Sequence, residues 1–141
     1  MVRRDGTSKN GDVTMQPVSV TLQGVTTAEL ASVRSQVAEA AIRAGLSPDQ
    51  ATRLSYAVNE VVTNAIQFGD GTAGVSIIAD QARIIVEVRD IGGGALPDIA
   101  AEPPPPDQVR GRGLWLAREL CDEVTFQSGC TGNVVRLSAS A

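Results

Sequence analysis

The sequence predicts a single α/β domain of 141 residues, in which strands and helices are interspersed along the chain. Residues 17–24 alternate apolar and polar side chains, which is typical of a half-buried strand. Residues 47–49 combine a capping serine, a first-turn proline and an acidic residue, which together indicate the start of a helix. Residues 72–79 and 82–89 are two strand-like segments joined near Asp80-Gln81, as in a β-hairpin.

The remaining elements follow from periodicity and from glycine and proline. Four consecutive prolines at 103–106 cannot enter a helix or a central strand, so they predict a loop. A long loop inside a compact domain is more often functional than structural filler. We predict a disordered tail (1–16) followed by one domain (17–141). The domain begins with a strand (17–24), a helix capped by Thr26 or Thr27 (to about 44), a second helix (48–68) and the hairpin (72–79 and 82–89). It continues with a loop (91–110), a helix (113–121) and two closing strands (122–127 and 133–138) around a turn at residues 128–129.

The composition limits the class of protein. Hydrophobic residues make up 43% and charged residues 20%, as in soluble globular domains. The formal net charge is -4 and no run of lysine and arginine occurs, which argues against direct nucleic-acid binding. No apolar run is long enough for a membrane span, and no secretory signal is present. We therefore expect a cytoplasmic protein, with Cys121 and Cys130 as reduced thiols.

The chain contains no histidine. This excludes histidine from acid–base catalysis, from metal binding and from phosphorylation within the chain. A side chain that accepts a proton in a reaction is therefore expected to be a carboxylate.

Glu60 and Asn64 lie four residues apart on the second long helix, so they share one face. A solvated helical face would explain such a pair equally well if it stood alone. Here the surrounding turns are apolar, and polar groups in a mostly buried helix need a partner. A carboxylate can accept a hydroxyl proton, and an amide oxygen suits Mg²⁺.

Asp90 follows a predicted strand and begins the sequence Asp-Ile-Gly-Gly-Gly. An ordinary turn at the end of a strand is the simpler interpretation. The functional interpretation is that the carboxylate accepts a hydrogen bond from the amine of adenine. Gly92 and Gly94 would then allow the backbone to approach the base and ribose closely.

Residues 110–115, Arg-Gly-Arg-Gly-Leu-Trp, open a predicted helix. The N–H groups at a helix N-terminus attract anions, and Arg110 and Arg112 add positive charge. The segment matches neither a P-loop nor a dinucleotide-binding fingerprint. A glycine hinge remains the alternative interpretation, and Trp115 is expected in the core.

The order of these segments resembles the GHKL ATPase/kinase superfamily, and within it the anti-sigma factor serine kinases of the sporulation and stress-response type. Residues 59–66 resemble the N box of that superfamily, residues 90–94 its first glycine box and residues 111–114 its second. The resemblance covers about residues 17–137. The chain differs at Phe68, where many of these kinases have histidine, and at Asn133, where threonine is common.

The resemblance implies a two-layer α/β sandwich of the Bergerat type, with helices on one face of a mixed, mainly antiparallel sheet. It implies ATP and Mg²⁺ as ligands, with Glu60 as the general base and Asn64 as the Mg²⁺ ligand. The other implied nucleotide-binding residues are Asp90, Gly92, Gly94, Gly111, Arg112, Gly113 and Leu114. We include Arg110 with them because its positive charge lies beside the same segment.

The resemblance also implies a role. Such proteins bind a sigma factor, phosphorylate a serine of an anti-anti-sigma (STAS-type) partner and commonly form homodimers. Two alternatives stay open at the level of sequence. One is a module of the same fold that binds ATP and a partner without catalysis. The other is the ATP-binding fragment of a histidine kinase that acts on a separate protein.

Overall fold

The computed structural model describes residues 18–90, 112–129 and 132–141, with the backbone alone for residues 112–114, 116 and 129. Within these ranges, five strands and three α-helices follow one another along the chain. A short 3₁₀ helix, Thr27–Glu29, leads into the first α-helix. The elements are β1 (Val18–Val25), α1 (Leu30–Arg43), α2 (Pro48–Phe68), β2 (Ala73–Asp80), β3 (Arg83–Arg89), α3 (Arg112–Leu120), β4 (Glu123–Gly129) and β5 (Gly132–Ser140).

Both helical segments begin at the caps that the sequence predicts. The Ser47 hydroxyl accepts from the Gln50 backbone N–H at 3.1 Å, and the Gln50 side chain accepts from the Ser47 N–H at 2.8 Å. Thr26 and Glu29 form the equivalent pair ahead of the 3₁₀ turn, with 2.7 Å between the Thr26 nitrogen and a Glu29 carboxylate oxygen. Each reciprocal pair satisfies N–H groups that have no acceptor inside the helix.

The strands form one five-stranded sheet in the order β1-β2-β3-β5-β4. All four pairings between the described strands are antiparallel. The hairpin of β2 and β3 turns at Gln81-Ala82, where Ala82 adopts a positive φ of 69°. The predicted α/β architecture with an antiparallel sheet is confirmed.

The core lies between the helices and one face of the sheet. Alternate residues of β2, β3 and β5 are buried, and both long helices bury one face against them. Its largest fully buried members are aliphatic, as expected for a chain with few aromatic residues. They are Leu54, Ile77, Ile84, Leu137 and the valines at positions 33, 37, 58, 61, 62, 75, 86 and 88.

One predicted turn is wrong. Ser128 and Gly129 belong to β4, where Ser128 pairs with Asn133 and Gly129 pairs with Gly132. The two residues are common in turns, but the ladder between β4 and β5 continues through them because each has a partner in register. The predicted tail (1–16) and the loop (91–110) lie outside the described residues. None of the described helices has the length and apolar character that a membrane span requires.

Candidate functional site

The position of α2 distinguishes the two ends of the sheet. The Gln50 side chain, in the first turn of α2, donates to the Ser140 carbonyl at 3.2 Å, so α2 begins beside the end of β5. The helix ends at Phe68, four residues before β2 starts at the opposite end of the sheet. We call these the Ser140 end and the Asp90 end. Asn64 lies about one helical turn from the end of α2, so it lies toward the Asp90 end.

The third helix is oriented in a similar way with respect to the sheet. Immediately after α3, the Asp122 N–H donates to the Ser138 carbonyl at 2.9 Å, which places the end of α3 near the Ser140 end. The helix packs against α2. Its first turn, with Arg112, is therefore the part of α3 that lies away from the Ser140 end.

Glu60 and Asn64 lie on α2, and both are half-buried. Neither side chain forms a hydrogen bond or ion pair with any residue that the structure describes, whereas the neighbouring Thr63 hydroxyl donates to the Asn59 carbonyl at 2.7 Å. The carboxylate of Glu60 and the amide of Asn64 thus keep their hydrogen-bonding capacity. On a helix that buries the nearby Val61, Val62 and Ala65, this leaves two polar groups available to a ligand.

Asp90 directly follows β3 and lies opposite Asn133, the second residue of β5. The Asp90 N–H donates to the Asn133 carbonyl at 3.0 Å. In return, the Asn133 N–H donates to Asp90 Oδ1 at 3.2 Å and its Nδ2 approaches the same oxygen at 3.4 Å. Asn133 is only 3% exposed, so this contact is made almost out of water.

Sequence reasoning did not include Asn133 among the site residues. The available signal was an asparagine directly before two valines at the start of a predicted strand, because an amide that is buried there requires a hydrogen-bonding partner. That partner is the carboxylate that the sequence assigns to adenine recognition.

A cavity of about 500 Å³ opens at the Asp90 end. This volume falls within the ordinary range of small-molecule pockets. Glu60 and Asn64 are not among its lining residues, so the structure joins Asp90 to Asn133 here and does not bring the α2 pair into the same cavity. The lining residues are Gln23, Gly24, Thr72, Ala73, Gly74, Arg89, Asp90, Gly132, Asn133 and Val134.

The predicted glycine boxes are described only in part. Gly92, Gly94, Arg110 and Gly111 lie outside the described residues. For Arg112, Gly113 and Leu114, the backbone forms the first turn of α3. Their proposed contacts with phosphate therefore remain predictions.

The described residues fit a nucleotide and Mg²⁺. The half-buried Asn64 offers an amide oxygen, a type of ligand that Mg²⁺ accepts, and this cation needs few protein ligands when it also binds phosphates. Near the start of α3, the indole Nε1 of Trp115 is buried and has no hydrogen-bond acceptor among the residues that the structure describes. No cluster of three or more cysteine, aspartate or glutamate side chains occurs within the described ranges. The described residues therefore fit a Mg²⁺ site in which Asn64 is the protein ligand and the nucleotide phosphates supply others.

Two further side chains complete the description of the helices. Arg34, on α1, is exposed, and its guanidinium donates to Asn59 Oδ1 at 2.8 Å. Cys121, after α3, is a free thiol. Burial, and secondarily the carboxylate of Asp122, raises the pKa of this thiol to about 12. Cys121 therefore stays protonated at neutral pH and is a poor nucleophile.

Comparisons with known proteins identify the family and the fold of the chain. Residues 25–139 match the model of the family described as "Histidine kinase-like ATPase domain". No curated protein matches the chain. Among solved structures, that of the RsbU and RsbW domains of Rv1364c from Mycobacterium tuberculosis is similar, with a TM-score of 0.64 and 20% identity. The similarity covers 89% of this chain and 32% of that chain, and at this identity it establishes a shared fold.

The family match extends from the end of β1 to the penultimate residue of β5, and so includes α2, Asp90 and Asn133. The chain therefore belongs to the family of histidine kinase-like ATPase domains.

Proposed function

We propose that this protein is an ATP-dependent serine-protein kinase that acts as an anti-sigma factor in the cytoplasm. It would bind a sigma factor and phosphorylate a serine of an anti-anti-sigma, STAS-type partner. The observation that carries the proposal is the half-buried pair of Glu60 and Asn64, whose side chains have no partner among the described residues. The family match and the resemblance of residues 59–66 to the N box of anti-sigma factor kinases support it.

Glu60 is the proton acceptor in this proposal. Its carboxylate takes the proton of the substrate serine hydroxyl while the serine oxygen forms its bond to phosphorus and ADP leaves. With no histidine in the chain, a carboxylate is the natural base. A polar partner for Glu60 would compete for its lone pairs, and none is present among the described residues.

Asn64 and Asp90 hold the nucleotide. Asn64 Oδ1 would bind Mg²⁺, and the Asp90 carboxylate would accept a hydrogen bond from the adenine amine. When bound, ATP would supply the phosphoryl group, and Mg²⁺ would neutralise charge that develops during transfer. The N–H groups of the first turn of α3, with Arg112, would stabilise the phosphates.

Nucleotide selectivity tests the binding half of the proposal. We would follow the melting temperature during titration with ATP and with GTP, each with and without Mg²⁺. Selective stabilisation by ATP is expected, of about 2.7 kcal/mol at a concentration one hundred times Kd. Asp90→Asn should lose the preference for ATP, and Asn64→Ala should lose the dependence on Mg²⁺.

Matched controls use residues of the same type or helix. Asp80→Asn changes an exposed aspartate at the Ser140 end, and Gln67→Ala removes an exposed amide one turn from Asn64 on α2. Both should behave as the unsubstituted protein. Absence of stabilisation by either nucleotide would reject the proposal.

The chemical stability of transferred phosphate tests the catalytic half. Radiolabelled ATP would be incubated with the protein and with a panel of STAS-type proteins. Acid-stable phosphate on a serine is expected. Acid-labile phosphate on a histidine would instead identify a fragment of a histidine kinase. ATP-dependent binding of a partner without transfer would identify a regulatory module, for which the asparagine at position 133 in place of the common threonine is the motivating feature.

A further inference from the structure

We propose that Asn133 is a positioning residue that holds the carboxylate of Asp90 in the orientation needed to select adenine. The inference rests on the proposed nucleotide-binding function of Asp90. It adds a second residue, on a different strand, that determines base specificity through Asp90.

Asn133 supplies every hydrogen bond that the Asp90 carboxylate accepts from the described residues. Asp90 Oδ1 is approached by the Asn133 backbone nitrogen at 3.2 Å and by its Nδ2 at 3.4 Å. Nδ2 also lies 3.5 Å from Asp90 Oδ2, so the amide faces both carboxylate oxygens at nearly equal distances. Oδ1 has the additional backbone donor, which leaves more of the accepting capacity of Oδ2 to a ligand.

The contact with Asp90 also determines the orientation of the Asn133 side-chain amide. A carboxylate only accepts hydrogen bonds, so its neighbour must present nitrogen and not oxygen. The contact thus fixes which way the Asn133 amide faces, and Asn133 is 3% exposed, which leaves little room for rearrangement. The reciprocal bond from the Asp90 N–H to the Asn133 carbonyl, at 3.0 Å, ties the two backbones together as well.

Within the described part of the chain, no cation holds the carboxylate of Asp90. Arg89 is the other charged residue among those lining the cavity. Its guanidinium donates to the Ser76 hydroxyl at 3.2 Å and lies 3.5 Å from a Glu87 oxygen, so it is engaged elsewhere. Among the described residues, Asp90 takes its side-chain hydrogen bonds from Asn133 alone.

These contacts have a consequence for recognition. A fixed carboxylate accepts from the amine of adenine, whereas guanine presents a carbonyl oxygen at the same position and is repelled. If Asp90 could rotate freely, part of the binding free energy would be lost in ordering it. Asn133 removes that loss without touching the base itself.

The test compares three substitutions at position 133. Asn133→Leu keeps approximate volume and the backbone donor but removes the amide. It should weaken ATP binding by about tenfold, the scale of a hydrogen bond to a charged group, and should weaken GTP binding less, so that the ratio of the two Kd values falls. Asn133→Thr keeps a side-chain donor and should retain the preference for ATP. Ser138→Ala, which alters another buried polar residue of β5, is the matched control and should leave the ratio unchanged.

Asn133→Asp gives a signature that loss of packing would not produce. At low pH the two neighbouring carboxyl groups share a proton, so the introduced group can still donate to Asp90. At high pH both are ionised and repel each other. ATP affinity of this variant should therefore fall about tenfold or more between about pH 5 and about pH 9, while that of the unsubstituted protein changes much less.

The outcomes separate this inference from the proposed function. If the unsubstituted protein binds ATP, but Asn133→Leu keeps the same preference for ATP over GTP and Asn133→Asp shows no added pH dependence, Asn133 does not position Asp90. If the unsubstituted protein binds no ATP, the proposed function fails, and the contact is tested in the nucleotide-free protein. The melting temperature of Asn133→Asp relative to the unsubstituted protein should then still fall as pH rises, and a parallel profile would overturn the inference.

Discussion

The Ser140 end of the sheet is closed by main-chain hydrogen bonds, whereas the Asp90 end retains unsatisfied polar groups and a cavity. At the Ser140 end, the Ala82 N–H donates to the Ala44 carbonyl and the Ala141 N–H donates to the Ala82 carbonyl, both at 2.8 Å. The Ser140 N–H donates to Asp122 Oδ2 at 2.7 Å. These three bonds join the chain end, the hairpin turn and the helix ends to one another.

The Asp90 end contrasts with this arrangement in each respect. It contains the cavity of about 500 Å³, and α2 approaches it with Glu60 and Asn64 unpaired among the described residues. Groups that bind ligands must forgo partners within the protein, at some cost in stability. The hydrogen bonds that close the fold thus lie at one end of the sheet, and the polar groups proposed to bind nucleotide lie toward the other.

The largest effect is expected from Glu60→Gln. Transfer of phosphate to a protein serine should fall by about 10²–10⁴-fold, because the amide cannot accept the hydroxyl proton. ATP affinity and melting temperature should stay close to those of the unsubstituted protein, since the shape of the side chain is preserved. Single-turnover measurement with saturating ATP and Mg²⁺ isolates this step.

Glu39→Gln, on an exposed position of α1, is the matched control for Glu60→Gln and should transfer phosphate normally. If Glu60→Gln transferred phosphate within a few-fold of the normal rate, Glu60 would not be the base. The contrast between the two ends of the sheet would then not extend to catalysis.

The next largest effect concerns stability. Leu54 is 1% exposed and lies in the first half of α2, toward the Ser140 end. Leu54→Ala should lower the free energy of unfolding by about 2–5 kcal/mol, because it removes buried surface and leaves a cavity. Denaturant unfolding measures the loss, and ATP should still be preferred over GTP by the folded fraction.

The adjacent Arg53 serves as the control for Leu54. Its side chain is 54% exposed and lies 3.8 Å from Asp49, so Arg53→Ala should cost less than about 1 kcal/mol. A Leu54→Ala variant as stable as this control would contradict the assignment of α2 to the core.

A smaller effect is expected at the closure of the Ser140 end. Asp122→Ala removes the acceptor of the Ser140 N–H and should cost about 1 kcal/mol of unfolding free energy, as is typical for one hydrogen bond. Asp80→Ala, at an exposed position of the same end, should cost less. Equal costs for the two variants would mean that the Asp122 bond does not contribute to closure.

The smallest effect depends on pH. Because the pKa of Cys121 is raised to about 12 by burial and by Asp122, the folded protein keeps this thiol protonated where the unfolded chain, with an ordinary thiol pKa of about 8.5, has lost the proton. The contribution to stability is complete below about pH 8.5 and is lost as pH rises toward 12.

Cys121→Ala should therefore lose less stability than the unsubstituted protein between about pH 8.5 and about pH 10.5, as measured by denaturant unfolding at each pH. In the native protein, a thiol reagent should modify Cys121 slowly at neutral pH. Rapid modification there would show that the thiol is ionised and that its surroundings are more open than the structure shows.

The helices and strands of this chain could be predicted closely because their signals are local. The capping pairs at Thr26 and Ser47 determine where the helical segments begin, and the capped helix from Ser47 was expected to end near Phe68, as it does. Gln81-Ala82 closes the hairpin within one residue of the expected turn. In each case, the residues that decide the structure are neighbours in sequence.

The site could be predicted only in part because it depends on contacts between distant segments. The turn assigned to Ser128-Gly129 was wrong because register with β5 overrides the local preference of serine and glycine. The bond between Asp90 and Asn133 joins residues 43 positions apart, and no local pattern reports it. The role proposed for Glu60 follows from its residue type, but its lack of a partner among the described residues could be seen only in three dimensions.

The place of β5 in the sheet bears on folding during synthesis. This strand follows β4 along the chain, yet it lies between β3 and β4 in the sheet. A nascent chain that has reached β4 therefore has an exposed edge on β3 and lacks Asn133. If Asn133 holds Asp90 as we propose, adenine binds only after the sheet is complete, whereas truncated molecules keep unpaired strands that are prone to aggregate.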